Sequence, residues 1–141
     1  MRRYIFASHH KLAFGLKDTV QFLNNYSSAA NQIYDINAYV DDKETDISDQ
    51  VEQLFASFSK EDEVIVLTDM LGGSVNQKFI PYLSDKTHII TGMNLALAMS
   101  LILLPQDIEI TSNMIADIVE DCKQQVIYVN QVQVETDEED E

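Results

Sequence analysis

The sequence is poor in several residue types, and each shortage narrows the possible classes of protein. Its 141 residues include one cysteine, Cys122, and no tryptophan. A single thiol cannot close an internal disulfide and has no second thiol with which to form a metal site. We therefore expect a protein of a reduced, cytoplasmic setting with no metal centre.

Basic residues are also scarce, with 9 Lys and Arg against 24 Asp and Glu and a net charge of −15. Binding to a phosphate backbone requires clustered Lys and Arg that displace counterions, so nucleic acid is excluded as the expected partner. Six of the acidic residues lie in the last seven positions. This composition predicts one domain over residues 1–134 and a solvated acidic tail over residues 135–141.

No hydrophobic run is long enough to indicate a membrane span. The most apolar window, from Ile89 to Leu104, contains polar residues and falls short of the ~20 residues that cross a bilayer. The apolar stretch from Tyr4 to Ala7 is shorter than the ~7 to 15 residues of a signal-peptide core. If the protein serves a membrane process, we expect it to do so through a partner.

Short β-rich runs alternate with segments of helical period, which predicts a parallel sheet flanked by helices. The predicted strands are Arg3 to Ala7, Gln32 to Val40, Glu63 to Thr68 and Thr87 to Thr91. The predicted helices are Leu12 to Leu23, Ile47 to Phe58, a segment opening at Ser74, Asn94 to Leu103 and Met114 to Cys122. The alternating segment from Val126 to Val134 predicts a final strand.

The third helix has a recognisable start in the sequence. Ser74 and Gln77 have the spacing of a capping box, and Pro81 is expected to kink the helix or end it early. Right-handed crossovers favour a doubly wound, mainly parallel four-stranded sheet in the order 2-1-3-4, with helices on both faces. Ligands of such sheets bind at the carboxyl ends of strands one and three.

Reactive side chains follow both of these strand ends. His9 and His10 follow strand one, and Asp69 follows strand three. A neutral imidazole is a nucleophile near pH 7, and a carboxylate bonded to one ring nitrogen leaves the other nitrogen free to attack. The pattern predicts a nucleophilic histidine oriented by Asp69.

A glycine pair and a serine follow Asp69 in the sequence, as Gly72, Gly73 and Ser74. Backbone N–H groups of such a turn can bind an anion without a metal or cofactor. Taken singly, each of these residues, like the histidines and Asp69, is also typical of an ordinary turn or cap. Their joint placement at neighbouring strand ends favours phosphoryl transfer, whereas His88 is interpreted as structural or exposed.

Three segments together resemble a known family. Residues 8–16 read S-H-H-K-L-A-F-G-L, residues 69–74 read D-M-L-G-G-S, and residues 91–95 read T-G-M-N-L. In content, order and rough spacing they resemble the IIA components of the mannose/fructose/sorbose family of the bacterial phosphoenolpyruvate:sugar phosphotransferase system.

The resemblance implies a carrier that accepts a phosphoryl group on His9 from the phosphocarrier protein HPr. It implies donation to a separate IIB component, which serves membrane IIC and IID components. By motif position Asp69 orients His9, and Gly72, Gly73 and Ser74 line the phosphate pocket. The family is typically a homodimer that exchanges a C-terminal strand, for which Val126 to Val134 is the matching segment.

The sequence departs from the family pattern at His10, where a glycine is usual. This residue is a second candidate that could bind phosphate. Two alternative functions stay open: the phosphotransfer subunit of a dihydroxyacetone kinase, and a non-catalytic regulatory module of the same fold. An aspartate-phosphorylated receiver is disfavoured, because strand one lacks the acidic cluster that would hold Mg²⁺.

Overall fold

A computed structural model describes residues 1–40 and 46–132. The strands of these ranges are β1 (Arg2–His9), β2 (Ile33–Ala38), β3 (Glu63–Thr68) and β4 (Thr87–Thr91). The helices are α1 (Leu12–Leu23), α2 (Ser48–Ala56), α3 (Ser74–Gln77), α4 (Leu95–Ile102) and α5 (Ser112–Lys123). All neighbouring strands are parallel, in the order β2-β1-β3-β4, which confirms the predicted topology.

The central strands are buried on both faces, as their nearly unbroken apolar sequence requires. In β1, Tyr4 and Phe6 pack into one core, whereas Ile5 and Ala7 pack into the other. Successive side chains of a strand point to opposite faces, so each strand supplies both cores.

Helices cover both faces of the sheet. The first core receives Val20 from α1, Leu101 from α4 and Ile115 from α5. The second core receives Val51 from α2 and Val75 from α3. This division of the helices is the doubly wound arrangement that the sequence predicts.

The described residues 126–132 do not form the predicted final strand within the single chain. This segment pairs with no strand of the described chain, and its regular structure is a single 3-10 turn at Val129–Gln131. Alternating apolar residues form a strand only when they are hydrogen-bonded to a neighbouring strand, and in the described chain this segment is bonded to none. Residues 133 and 134 and the predicted acidic tail over residues 135–141 lie outside the described residues. Within the described ranges, no helix has the length and apolar character needed to cross a membrane.

Candidate active site at the carboxyl end of the sheet

His9 and Asp69 lie side by side where two neighbouring strands end. His9 is the last residue of β1, and Asp69 directly follows β3. The parallel pairing aligns Ala7 with Thr68, so the two chain ends emerge together. Nδ1 of His9 lies 2.8 Å from Oδ2 of Asp69, and the His9 backbone N–H donates to the same oxygen at 2.8 Å.

The carboxyl group of Asp69 is ionised more easily than an ordinary aspartic acid. Burial alone acts to raise the pKa of Asp69, but the hydrogen bonds from the His9 backbone and ring outweigh this effect and lower the pKa below its ordinary value. The carboxylate is therefore available to accept a hydrogen bond from the imidazole near neutral pH. Its other oxygen, Oδ1, is buried without a hydrogen-bond partner in the described residues.

The imidazole of His9 is anchored on one side and open on the other. Its side chain is 38% exposed, and Nε2 has no hydrogen-bond partner in the described part of the chain. When Nδ1 carries the hydrogen that is donated to Asp69, the lone pair of Nε2 is free. The geometry therefore supports nucleophilic attack by Nε2 on an incoming electrophile.

The loop after Asp69 packs against the imidazole. A Cβ atom placed on Gly73 would lie 3.3 Å from Cε1 of His9 and 3.3 Å from the carbonyl oxygen of Met70, which is tight enough to require a shift. Gly72 has a φ of +75°, in the left-handed region that glycine adopts without a steric penalty. Steric contact therefore explains the glycine at position 73, and backbone conformation explains the glycine at position 72.

The predicted capping box at Ser74 is wrong, although α3 does begin at this residue. The cap position is Gly73, and no side chain caps the helix. Ser74 Oγ instead lies 2.8 Å from the hydroxyl oxygen of Tyr39. The Gly73 N–H is used within the turn, since it donates to the carbonyl oxygen of Met70 at 3.3 Å. Ser74 therefore presents its hydroxyl at the site rather than to its own helix.

His10 adopts a left-handed backbone conformation, with a φ of +53°. Its side chain is exposed and makes no hydrogen bond with described residues. Glycine favours this region of backbone space, which gives a physical reason for glycine at the matching position of the family pattern. The structure brings His10 to the same chain end as His9, and no carboxylate of the described residues is hydrogen-bonded to its ring.

Two residues at this end were not singled out by the sequence. Ser8 is fully buried, accepts a hydrogen bond from the Ala13 N–H at 2.7 Å and donates to the His10 carbonyl at 3.2 Å, so it fixes the turn between β1 and α1. Tyr39 stacks on the His9 ring, with ring centroids 5.4 Å apart and an interplanar angle of 11°. Nothing local in the sequence indicates that contact, because a tyrosine near a strand end is also an ordinary β-former.

His88 lies away from this site, and the described residues contain no candidate metal cluster. His88 is the second residue of β4, near the end of the sheet opposite to His9. Among the described residues, no three His, Cys, Asp or Glu side chains are grouped so that they could hold a metal ion. The chemistry of the site is that of an oriented imidazole beside a glycine turn.

Comparison with known proteins shows that this fold is that of a phosphotransferase-system family. The chain matches the family model described as PTS system fructose IIA component over residues 3–119, and it belongs to that family. It is thus a IIA component of the mannose/fructose/sorbose type, with a phosphotransferase role in sugar transport. Among curated proteins, none matches the chain significantly.

Solved structures support the assignment. A proposed phosphoenolpyruvate-dependent sugar phosphotransferase system permease from Klebsiella pneumoniae subsp. pneumoniae MGH 78578 is 36% identical, with a TM-score of 0.80 over 92% of each chain. The PTS IIA protein associated with the fucose utilization operon of Streptococcus pneumoniae is 27% identical, with a TM-score of 0.70 over 92% of this chain and 94% of that chain. The mannose/sorbose specific IIA subunit from Enterococcus faecalis, 18% identical with a TM-score of 0.72 over 89% of this chain and 92% of that chain, shares the fold.

Proposed function

We propose that the protein is a phosphoryl carrier that is phosphorylated on Nε2 of His9. The observation that carries this proposal is the 2.8 Å contact between Nδ1 of His9 and Asp69, on a partly exposed ring whose Nε2 has no partner among residues 1–40 and 46–132. Asp69 fixes the tautomer and orients the ring, and Gly72, Gly73 and Ser74 line the space for the phosphoryl oxygens. His10 is a further candidate for contact with that group.

The proposed donor is phosphohistidine HPr, and the proposed acceptor is a separate IIB component that serves membrane IIC and IID components. In the first step the Nε2 lone pair of His9 forms an N–P bond while the donor's P–N bond breaks and the donor nitrogen keeps the electron pair. The second step is the same exchange, with phosphorylated His9 as the donor and IIB as the acceptor. Since phosphohistidine has a high transfer potential, a site that does not stabilise the bound phosphoryl group too strongly suits a reversible relay. We place this reaction in the cytoplasm, where phospho-HPr is formed.

A phosphorylation assay tests the proposal. Incubation with phosphoenolpyruvate, enzyme I and HPr should add one acid-labile, base-stable phosphate to the protein. His9→Ala should abolish this labelling, and His10→Ala, the matched control, should retain most of it. Labelling that survives the loss of His9 would assign the nucleophile elsewhere. An unlabelled parent protein would favour a regulatory module.

We also propose that the protein is a homodimer that exchanges the C-terminal segment beginning at Val126. Five hydrophobic side chains of this segment are exposed in the single chain: Val126, Ile127, Tyr128, Val129 and Val132. Such a cluster is typical of an interface. Light scattering after gel filtration should give twice the mass of the chain, and removal of residues 126–141 should give a monomer. A monomeric full-length chain would contradict this part of the proposal.

A further inference from the structure

Tyr39 connects the His9 ring to the loop that would receive the phosphoryl group. It follows β2 (Ile33–Ala38), the strand that neighbours β1. Its ring is stacked on the imidazole at 5.4 Å, and its hydroxyl oxygen lies 2.8 Å from Ser74 Oγ. One side chain thus touches both the candidate nucleophile and the candidate phosphate-binding serine.

The backbone of Tyr39 is held in an unfavourable conformation. Its φ is +60°, in the left-handed region that side-chain-bearing residues rarely adopt. Residues in such regions cluster at functional sites, where surrounding contacts hold them. Tyr39 is 37% exposed, so burial in a core does not account for its position. The contacts of its side chain with His9 and Ser74 give a reason for that position.

The stacking contact restrains a motion that Asp69 leaves free. A hydrogen bond at Nδ1 holds one corner of the imidazole, but the ring can still tilt about that bond. Gly73 lies against one edge of the ring, where a built Cβ would be 3.3 Å from Cε1. Tyr39 covers a face of the same ring with an interplanar angle of 11°. Together the three contacts fix the direction of the Nε2 lone pair.

We propose, resting on the proposed function, that Tyr39 is a positioning residue that holds the His9 ring in the orientation required for in-line attack. Correct alignment of reacting atoms contributes strongly to the rate of group transfer. Tyr39 takes no part in the bonds that form or break. The tyrosine hydroxyl can donate to Ser74 Oγ, and this arrangement leaves the serine hydrogen available for a phosphoryl oxygen.

Direct phosphorylation by phosphoramidate isolates this effect from protein docking. In this reaction Nε2 of His9 forms the N–P bond, and the phosphoramidate P–N bond breaks with ammonia as the leaving group. Tyr39→Phe keeps the stacked ring and should react within about threefold of the parent, whereas Tyr39→Leu should react about tenfold more slowly, since aromatic stacking contributes on that order. Both variants retain a side chain at the same positive φ, so their comparison cancels the backbone cost.

Tyr26 provides a matched control. It also has a positive φ, of +53°, and the residue is 58% exposed, but it follows α1 at the opposite end of the sheet from His9. Tyr26→Leu should therefore leave the phosphoramidate rate unchanged. If Tyr26→Leu and Tyr39→Leu slow the phosphoramidate reaction equally, the cause is a general loss of structure, and the positioning role of Tyr39 is overturned.

Two further readouts separate positioning from docking and from the proposed function. With phospho-HPr as donor, Tyr39→Leu should lower kcat and leave KM unchanged, whereas a raised KM with an unchanged kcat would place Tyr39 in a docking surface instead.

In the unphosphorylated parent, nuclear Overhauser effects should connect the ring protons of Tyr39 and His9, and their absence would overturn the inference directly. Failure of both donors to phosphorylate the parent would defeat the proposed function, whereas normal phosphorylation of Tyr39→Leu would defeat this inference alone.

Discussion

His9 and Asp69, 60 positions apart in the chain, meet through a single carboxylate oxygen. Oδ2 of Asp69 accepts the His9 backbone N–H and faces His9 Nδ1, each at 2.8 Å. The same oxygen thus fixes both the backbone at the end of β1 and the ring attached to it. Any change to this carboxylate acts on the position and the tautomer of the imidazole together.

Replacement of Asp69 by asparagine should slow phosphoryl transfer without abolishing it. The amide can occupy the same space, but it no longer selects the tautomer with a free Nε2 lone pair, and it carries no charge to stabilise the ring as the reaction proceeds. We expect the single-turnover rate from phospho-HPr to fall by at least about tenfold, with labelling still on His9. Asp117→Asn, an exposed change on α5, is the control. Unchanged kinetics in Asp69→Asn would remove Asp69 from the mechanism.

Gly73→Ala should impair transfer more than it impairs folding. The added methyl group would press on His9 Cε1 and on the Met70 carbonyl, each 3.3 Å away, and the ring or the loop must move by a few tenths of an ångström. We expect the phosphoramidate rate to fall about tenfold, because small displacements of a reacting group are costly. Gly15→Ala is the matched control, since nothing lies within 4 Å of its added Cβ in α1.

The control variant Gly15→Ala should itself make the protein more stable. Alanine in a helix interior is favoured over glycine by about 0.5–1 kcal/mol, so Gly15→Ala should raise the free energy of unfolding by that amount in urea titrations. Its transfer rate should equal that of the parent. A parent-like rate in Gly73→Ala would show that the loop yields without disturbing the imidazole.

The topology and the meeting of His9 with Asp69 could be predicted from the sequence, for a physical reason. Buried parallel strands carry nearly continuous apolar runs, and the crossover rules leave few strand orders. Once β1 and β3 are neighbours, the residues that follow them must meet. The predicted meeting of His9 with Asp69 therefore depends on the strand order alone and not on the details of side-chain packing.

Contacts between distant side chains could not be predicted in the same way. Ser74 has the local signature of a cap, but its hydroxyl is paired with Tyr39, 35 positions away. The alternation over Val126 to Val134 describes a strand only if a partner strand is present, and β-propensity does not state which chain supplies it. A local sequence pattern indicates which structures a segment can form, whereas contacts with distant residues determine which of those structures it adopts.

His10→Gly should stabilise the protein or leave its stability unchanged. The positive φ of His10 is costly for a residue with a Cβ, and glycine removes that cost, although it also increases the entropy of the unfolded chain. We expect a gain of at most about 1 kcal/mol in the free energy of unfolding, measured by urea titration. A loss of more than about 1 kcal/mol would reveal stabilising contacts of the His10 side chain.

The stability of the fold should fall in acid because of Asp62. Burial acts to raise the pKa of Asp62, but hydrogen bonds from Ser59, the Met1 amino group and Arg3 outweigh it and lower the pKa. A carboxyl group whose pKa is lower in the folded than in the unfolded state stabilises the fold above the unfolded pKa of about 4. That contribution is lost as the pH falls through the folded pKa.

Asp62→Asn tests this linkage. At pH 7 the variant should be less stable by about 1.5–3 kcal/mol, the usual contribution of hydrogen bonds to a charged group. Its free energy of unfolding should fall less than that of the parent as the pH is lowered below about 4, since it lacks the titrating group. Urea titrations at a series of pH values measure both. Parallel curves for the parent and the variant would exclude Asp62 as a source of the acid sensitivity.

Leu71→Asp should weaken the encounter with the phosphoryl donor while leaving the chemistry intact. Large hydrophobic side chains are exposed around the site, with Leu71 81% exposed and Met70 60% exposed in the loop after Asp69. Exposed apolar clusters beside a reactive group are typical of protein docking surfaces. We expect KM for phospho-HPr to rise about tenfold, which corresponds to about 1.4 kcal/mol of binding free energy, with the phosphoramidate rate unchanged.

A matched leucine distinguishes docking from general surface effects. Leu103 is 67% exposed but caps the far end of α4, away from the carboxyl ends of the strands. Leu103→Asp adds the same charge to an already acidic protein, so it measures how far long-range repulsion alone changes KM. If KM rises equally in both variants, the effect is electrostatic and Leu71 is not a contact residue. If it rises only in Leu71→Asp, the loop that orders the imidazole also meets the donor, and binding and positioning are coupled through four consecutive residues after Asp69.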